Sequence, residues 1–288
     1  MTADAEALLE AVLSAPDDLD HRRVLMDRLL EEAHPRGELL RMQLSAARDE
    51  RAEARFIKKH RDALLGPLAP VVRTEVFSNG FLHSAGVKRG DVEKHPEVIG
   101  HRLWATVAAL KGPGDELISS HSVMTSLRAL SATSLPVNAL AKLTKLNALH
   151  AFDITSERAL RLADASFLPA LKVLHVRAAG GDVELLFPRL PALETFGVAL
   201  VDAGVRESWP FILRLLEVAG PTTSISFESG LNVEFARDDG VVALTRVDFL
   251  NEVQPHRAPN EAELLVSLAE NAGLLVTSPA PDFGRGSG

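Results

Sequence analysis

Cysteine is absent from all 288 residues, which excludes disulfides, thiol nucleophiles, thioester-forming ligases and every zinc site that needs thiolates. A disulfide-free chain also fits a reducing compartment. Tyrosine is absent too, which withholds one of the aromatic platforms on which nucleic-acid binders stack bases. Positive charge is in deficit: 31 Lys and Arg stand against 39 Asp and Glu, a net charge of −8, so any basic face must be local. Nowhere do apolar residues run for the roughly 18 positions of a membrane span. The N-terminus MTADAEALLEAVLSAPDD is acidic where a secretory signal would be basic, and Glu6 and Glu10 interrupt its apolar stretch. The expectation is a soluble, cytoplasmic chain with no membrane partner, and 46% apolar residues supply a substantial core for one or two domains.

What is present divides into a helical start and a leucine-rich remainder. Leu8, Leu9, Val12 and Leu13 form a stripe at helical spacing, and Pro16-Asp17-Asp18 interrupts it and offers caps for a second helix over about 18–33, with Leu25, Leu29 and Leu30 inward. His34-Pro35-Arg36-Gly37 reads as a turn before a third helical stretch, Glu38 to Gln43. A fourth helix, about 51–65, carries Arg51, Glu53, Arg55, Lys58, Lys59, Arg61 and Asp62 around a seam of Phe56, Ile57 and Leu64, and Gly66-Pro67 ends it. Its charges read as a solvated face laced with ion pairs rather than a binding surface.

The run Leu8 to Leu13, the Pro16-Asp17-Asp18 break, Leu29-Leu30-Glu31-Glu32, and above all Pro35-Arg36-Gly37-Glu38 followed by Leu39-Leu40-Arg41-Met42-Gln43 resemble the bacterial repeat-companion domain that precedes leucine-rich repeats. The family's Tyr-Ala-Asp-Trp-Leu run is here Leu25-Met26-Asp27-Arg28-Leu29, keeping the Asp and the Leu. The resemblance covers about 45 residues and implies a helical domain over 1–70 without implying a reaction.

Beyond it, a template of apolar, Leu, Leu and apolar positions recurs. Clean frames are Met124/Leu127/Leu130/Ala132, Leu143/Leu146/Leu149/Ala151, Leu168/Leu171/Leu174/Val176, Leu190/Leu193/Phe196/Val198 and Val241/Leu244/Val247/Phe249. Thr222/Ile225/Phe227 is a degraded frame, and Trp104/Val107/Leu110/Gly112 and Leu82/Ala85/Val87 are loose ones. Their mean step, about 23 residues, lies within the period of leucine-rich repeats, in which one short parallel strand and a return segment form each unit. Ser156 to Phe167, Gly181 to Arg189 and Val205 to Val218 have helical apolar spacing suited to such returns. The slot after each strand, which that family fills with Asn or Cys, holds Leu135, Ile154, Ala179 and Val201, so no amide ladder forms. The expected fold class is α/β: an irregular leucine-rich-repeat-like solenoid of parallel strands over 75–275, a capping helix from Asn260 to Ala272, and a disordered Pro/Gly/Ser-rich tail over 276–288. A two-layer α/β protein without repeats is the alternative.

No phosphate loop, nucleophile elbow, His-Glu-x-x-His or dinucleotide fingerprint occurs. His83, His95 and His101 lie near Asp91 and Glu97 but match no metal-ligand spacing, so neither metal nor cofactor is implied. Strand side chains alternate faces, so the variable slots between the leucines project to one exposed side. That rule gathers Arg128, His150, Phe152, Lys172, His175 and Arg177 into a local basic patch with an aromatic anchor, suited to an acidic protein segment. The expected function is a non-catalytic protein-interaction module. Nucleic-acid binding through the same patch, or a hydrolase or metal enzyme using His150 and His175, are the competing readings.

Overall fold

A computed structural model of the full chain describes residues 1–112, 118–119, 121–132, 145–154, 156–178, 183–200, 204–218, 220–227, 229, 231–249 and 258–277. The described residues up to 132 belong to one compact unit and those from 146 onward to a second.

The first unit opens with four helices: α1 (Ala3–Ser14), α2 (Leu19–Glu31), α3 (Pro35–Leu44) and α4 (Glu50–Leu65). Each has a side-chain cap that accepts from an otherwise orphaned backbone N–H. Thr2 accepts from Ala5 and Asp18 from Asp20 and His21, while Asp49 accepts from Arg51 and Ala52. The expected turn at His34 to Gly37 is instead the first turn of α3. His34 Nδ1 accepts from the Arg36 N–H at 3.1 Å, and Pro35 sits at the first helical position, where its missing N–H costs nothing.

Two strands then form a hairpin, β1 (Val72–Ser78) and β2 (Phe81–Val87), paired antiparallel. The turn is Asn79-Gly80, both at positive φ (48° and 78°), the backbone of a type I′ connection. After a short helix α5 (Arg89–Lys94), β3 (Ala109–Lys111) adds parallel to β2 and β4 (Ala129–Ala132) parallel to β3. Leu9, Val12, Leu25, Leu29 and Leu40 from the helices share one buried cluster with Phe81 of β2 and Ala105. The boundary expected near residue 70 therefore falls inside this unit.

The second unit begins with β5 (Ala148–Ile154), followed by helix α6 (Ser156–Ala163), β6 (Val173–Ala178), β7 (Thr195–Leu200), helix α7 (Val205–Val218) and β8 (Thr222–Phe227). These four strands pair in chain order and in parallel. Two longer strands, β9 (Leu231–Asp238) and β10 (Val241–Phe249), continue antiparallel, and β11 (Leu275–Val276) joins β10 in parallel after helix α8 (Ala258–Asn271). The architecture is thus mixed α/β with mostly parallel strands.

The leucine frames coincide with buried positions. Leu127 and Leu130, Leu146 and Leu149, Leu171 and Leu174, and Leu193 and Phe196 are all buried, as are Val107 and Leu110. Leu149, Leu174 and Phe196 stand opposite one another in register and are fully enclosed. Two frames require correction. The frame at Val241 to Phe249 is not a further parallel unit: Asp239-Gly240, at φ 46° and 81°, folds β10 back on β9, and Val241 beside this turn is 56% exposed. In the degraded frame, Thr222 lies opposite Thr195 rather than opposite Leu193. The two-residue displacement preserves the side-chain face because strand periodicity is two.

In α8, Ala262, Leu265 and Ala269 make the buried face. Residues 275–277 join the sheet, with the Thr277 N–H donating to Leu244 C=O at 3.1 Å, while the rest of the expected tail, 278–288, lies outside the described residues, as do Leu135, Ala179 and Val201. No helix among the described residues is long and apolar enough to cross a membrane.

Candidate functional site

β6 lies between β5 and β7, and His150, His175 and Gly197 occupy one row across the three strands. The expected proximity of the two histidines is realised as a stack, with ring centroids 4.7 Å apart and planes inclined by 16°. His175 leans over β7: its Nδ1 lies 2.3 Å from where a Cβ on Gly197 would stand. Any side chain at 197 would push the ring away. Burial holds both imidazoles below their ordinary pKa, and for His175 the neighbouring His150 adds to the effect.

The row continues to Ser224 on β8, and the next outward row is Arg177, Ala199 and Ser226. The small residues of β7 leave a trough of about 280 Å³, bordered by His150, His175 and Arg177 on one side and by Ser224 and Ser226 on the other. Ser224 and Ser226 escape the sequence reading because its variable slots are drawn from the clean frames, and β8 carries the degraded one. The alternation Thr223, Ile225, Phe227 inward against Ser224 and Ser226 outward was the signal that locates them.

The remaining residues of the expected patch are differently placed. Arg128 belongs to the first unit and pairs with Asp17 at 2.8 Å. Lys172 precedes β6 and pairs with Glu194 at 2.5 Å. Arg128 and Lys172 are thus each engaged by a neighbouring carboxylate, and neither lines the trough that Arg177 and the two imidazoles border. Phe152 lies in β5 where the pairing with β6 shifts register between Ala151 and Ile154, and its side chain is outside the described residues.

The histidines near Asp91 and Glu97 have local duties. His101 Nδ1 accepts from the Leu103 N–H, His95 faces Glu97 at 3.1 Å, and Asp91 pairs with Arg73 at 2.6 Å. No group of three metal-ligating side chains converges among the described residues.

The Pro-Arg-Gly-Glu segment has a structural task that spacing alone did not disclose. Arg36 is buried and donates to Gly80 C=O at 2.9 Å and Leu64 C=O at 2.5 Å, and its guanidinium lies 4.8 Å from the Phe81 ring centre. From the ring's surroundings Arg22 also approaches, at 5.2 Å, and donates to Ser78 C=O and Asn79 C=O, both at 3.2 Å. Gln43 completes the clasp, donating to Phe77 C=O and accepting from the Gly80 N–H at 2.7 Å. Gly37 is required because a Cβ there would stand 2.8 Å from the backbone of Leu29. Two arginines and a glutamine on α2 and α3 thus satisfy the backbone of the β1–β2 turn.

Comparison with protein-family models, with curated proteins and with solved structures finds no match.

Proposed function

We propose that the chain is a non-catalytic, cytoplasmic protein-interaction module, an irregular leucine-rich-repeat-like solenoid following a repeat-companion-like helical segment. In this reading the exposed strand face of the second unit takes a protein partner through an acidic segment. The observation that carries it is the trough: parallel strands in register bring His150, His175 and Arg177 to one side of a floor lowered by Gly197 and Ala199. Extended strand faces of this kind usually serve recognition, and complementary charge selects and orients the partner. Arg177 is the principal contact because it borders the trough, which Lys172 does not.

The test is affinity capture followed by a charge-reversal comparison on the captured partner. Lys172→Glu/Arg177→Glu should abolish binding, whereas Lys58→Glu/Lys59→Glu on the exposed face of α4 should leave it intact. Equal loss in both variants would reduce the effect to net charge and overturn the assignment.

A further inference from the structure

We propose that the trough over Gly197 and Ala199 is a phosphoryl-binding site that takes a phosphorylated side chain of the partner. This rests on the strand face being the contact surface and specifies the chemistry it reads.

The argument begins with the walls. Adjacent strands lie about 4.8 Å apart, so the outward residues of β6 and β8 stand roughly 9–10 Å apart across β7. Gly197 and Ala199 contribute almost no side chain between them. The backbone N–H and C=O groups of β6, β7 and β8 are committed to the sheet, so a ligand meets side chains only. On one wall these are the His175 ring, with Nδ1 over Gly197 and His150 stacked behind it, and Arg177 one pleat further. On the other wall are the hydroxyls of Ser224 and Ser226.

A carboxylate has two oxygens in one plane and engages one wall. A phosphoryl group has three terminal oxygens directed around a tetrahedron and a charge between −1.5 and −2, so it divides its acceptors between the walls. Imidazole, guanidinium and serine hydroxyl are its customary donors, and charge-assisted hydrogen bonds of this kind are the strong ones. Among the described residues no carboxylate lines the trough: Glu194 is held by Lys172, and Glu234, which shares the outward face with its cross-strand partner Ser224, stands one strand beyond it. Burial disfavours the imidazolium forms, and an adjacent dianion reverses that preference.

Two other ligands fit less well. A metal ion requires imidazole lone pairs, which lie in the ring planes, to converge on one point, and two stacked rings 4.7 Å apart at 16° do not converge. A nucleic acid presents a track of phosphates and favours a basic protein, whereas this is a single depression in a chain of net charge −8.

The experiment uses the full chain with isotopically labelled histidine, followed by NMR. Its probes are N-acetyl-phosphoserine amide, N-acetyl-glutamate amide, inorganic phosphate and a short oligothymidylate. Phosphoserine amide should shift the His150 and His175 ring resonances saturably, raise their titration midpoints, and bind about tenfold more tightly than the glutamate analogue, the equivalent of one added charge-assisted hydrogen bond. Ser224→Ala/Ser226→Ala removes two surface hydroxyls without touching the core and should abolish most of that preference at unchanged melting temperature. If the glutamate analogue binds equally well, or no probe moves the two histidines, the phosphoryl assignment fails, while the acidic-partner reading is judged separately by the charge-reversal comparison. Inorganic phosphate binding more tightly than phosphoserine amide would make free phosphate the ligand, and tighter oligothymidylate binding would make it nucleic acid. Either overturns the proposal.

Discussion

Replacing Arg36 with Met keeps the aliphatic length of a fully buried side chain and deletes the guanidinium that spans Gly80 C=O and Leu64 C=O. Two buried carbonyls then lose their donor, at about 1–3 kcal/mol each, and the stacking over Phe81 contributes about 1–2 kcal/mol more. Against this stands the relief of burying a cation, whose cost is visible in the depression of the Arg36 pKa from the usual guanidinium range to about 10, equivalent to roughly 3 kcal/mol. The group remains charged at neutral pH, so at the middle of these ranges the net loss on substitution is about 2–3 kcal/mol, below that expected for breaking a buried ion pair. Urea unfolding followed by Trp104 fluorescence in a Trp209→Phe background isolates the first unit, where Trp104 is fully buried. Arg41→Met is the control: its side chain is 61% exposed and pairs only with Glu38. An Arg36→Met midpoint within about 0.5 kcal/mol of the parent, or matched by Arg41→Met, would refute the idea that this segment clasps the hairpin turn.

Leu149→Ala and Leu174→Ala, each emptying a fully enclosed site between neighbouring strands, should each cost about 2–5 kcal/mol by chemical denaturation; parity with the parent would invalidate the strand frame. Acidification should begin to destabilise the fold in the range where histidines titrate. His34, His101, His150 and His175 all have folded-state pKa values below the ordinary 6.5, each chiefly through burial. The unfolded chain therefore binds protons first, and stability falls as pH drops through 6.5 towards the folded-state values. Thermal melts between about pH 7.5 and about pH 5 should show a slope that His150→Asn/His175→Asn flattens, and an unchanged slope would mean the pair does not titrate with folding.

The helical caps and the enclosed leucines were legible because each follows from a local rule. Asp18 and Asp49 precede amphipathic runs, and Leu127, Leu146, Leu171 and Leu193 recur as buried residues two positions ahead of successive strands. The hairpins were equally available, since Asn79-Gly80 and Asp239-Gly240 are the dipeptides that type I′ turns demand. A search tuned to a period near 23 passes over them, because a hairpin repeats nothing. The site was half legible. Spacing located His150 beside His175, but the pairing of Lys172 with Glu194 and Arg128 with Asp17 depends on neighbours that strand alternation does not specify. Nor does linear spacing reveal that Arg36 points inward, as a buried arginine is readable only once the carbonyls awaiting it are in place.

The unequal spacing of the strands in the second unit separates two properties that most folds tie together. Ala148 pairs with Val173, Val173 with Thr195 and Thr195 with Thr222, so steps of 25, 22 and 27 residues all deliver the chain to the same row. The surplus is taken up in the return segments, of which α7 is the longest described, and lengthening a return adds little closure entropy. The rim that holds the returns can therefore drift in length and composition while the rows of the opposite face keep their alignment. These strands behave like the teeth of a comb whose spine can thicken between them without disturbing the tips, and their outward residues can be exchanged one at a time.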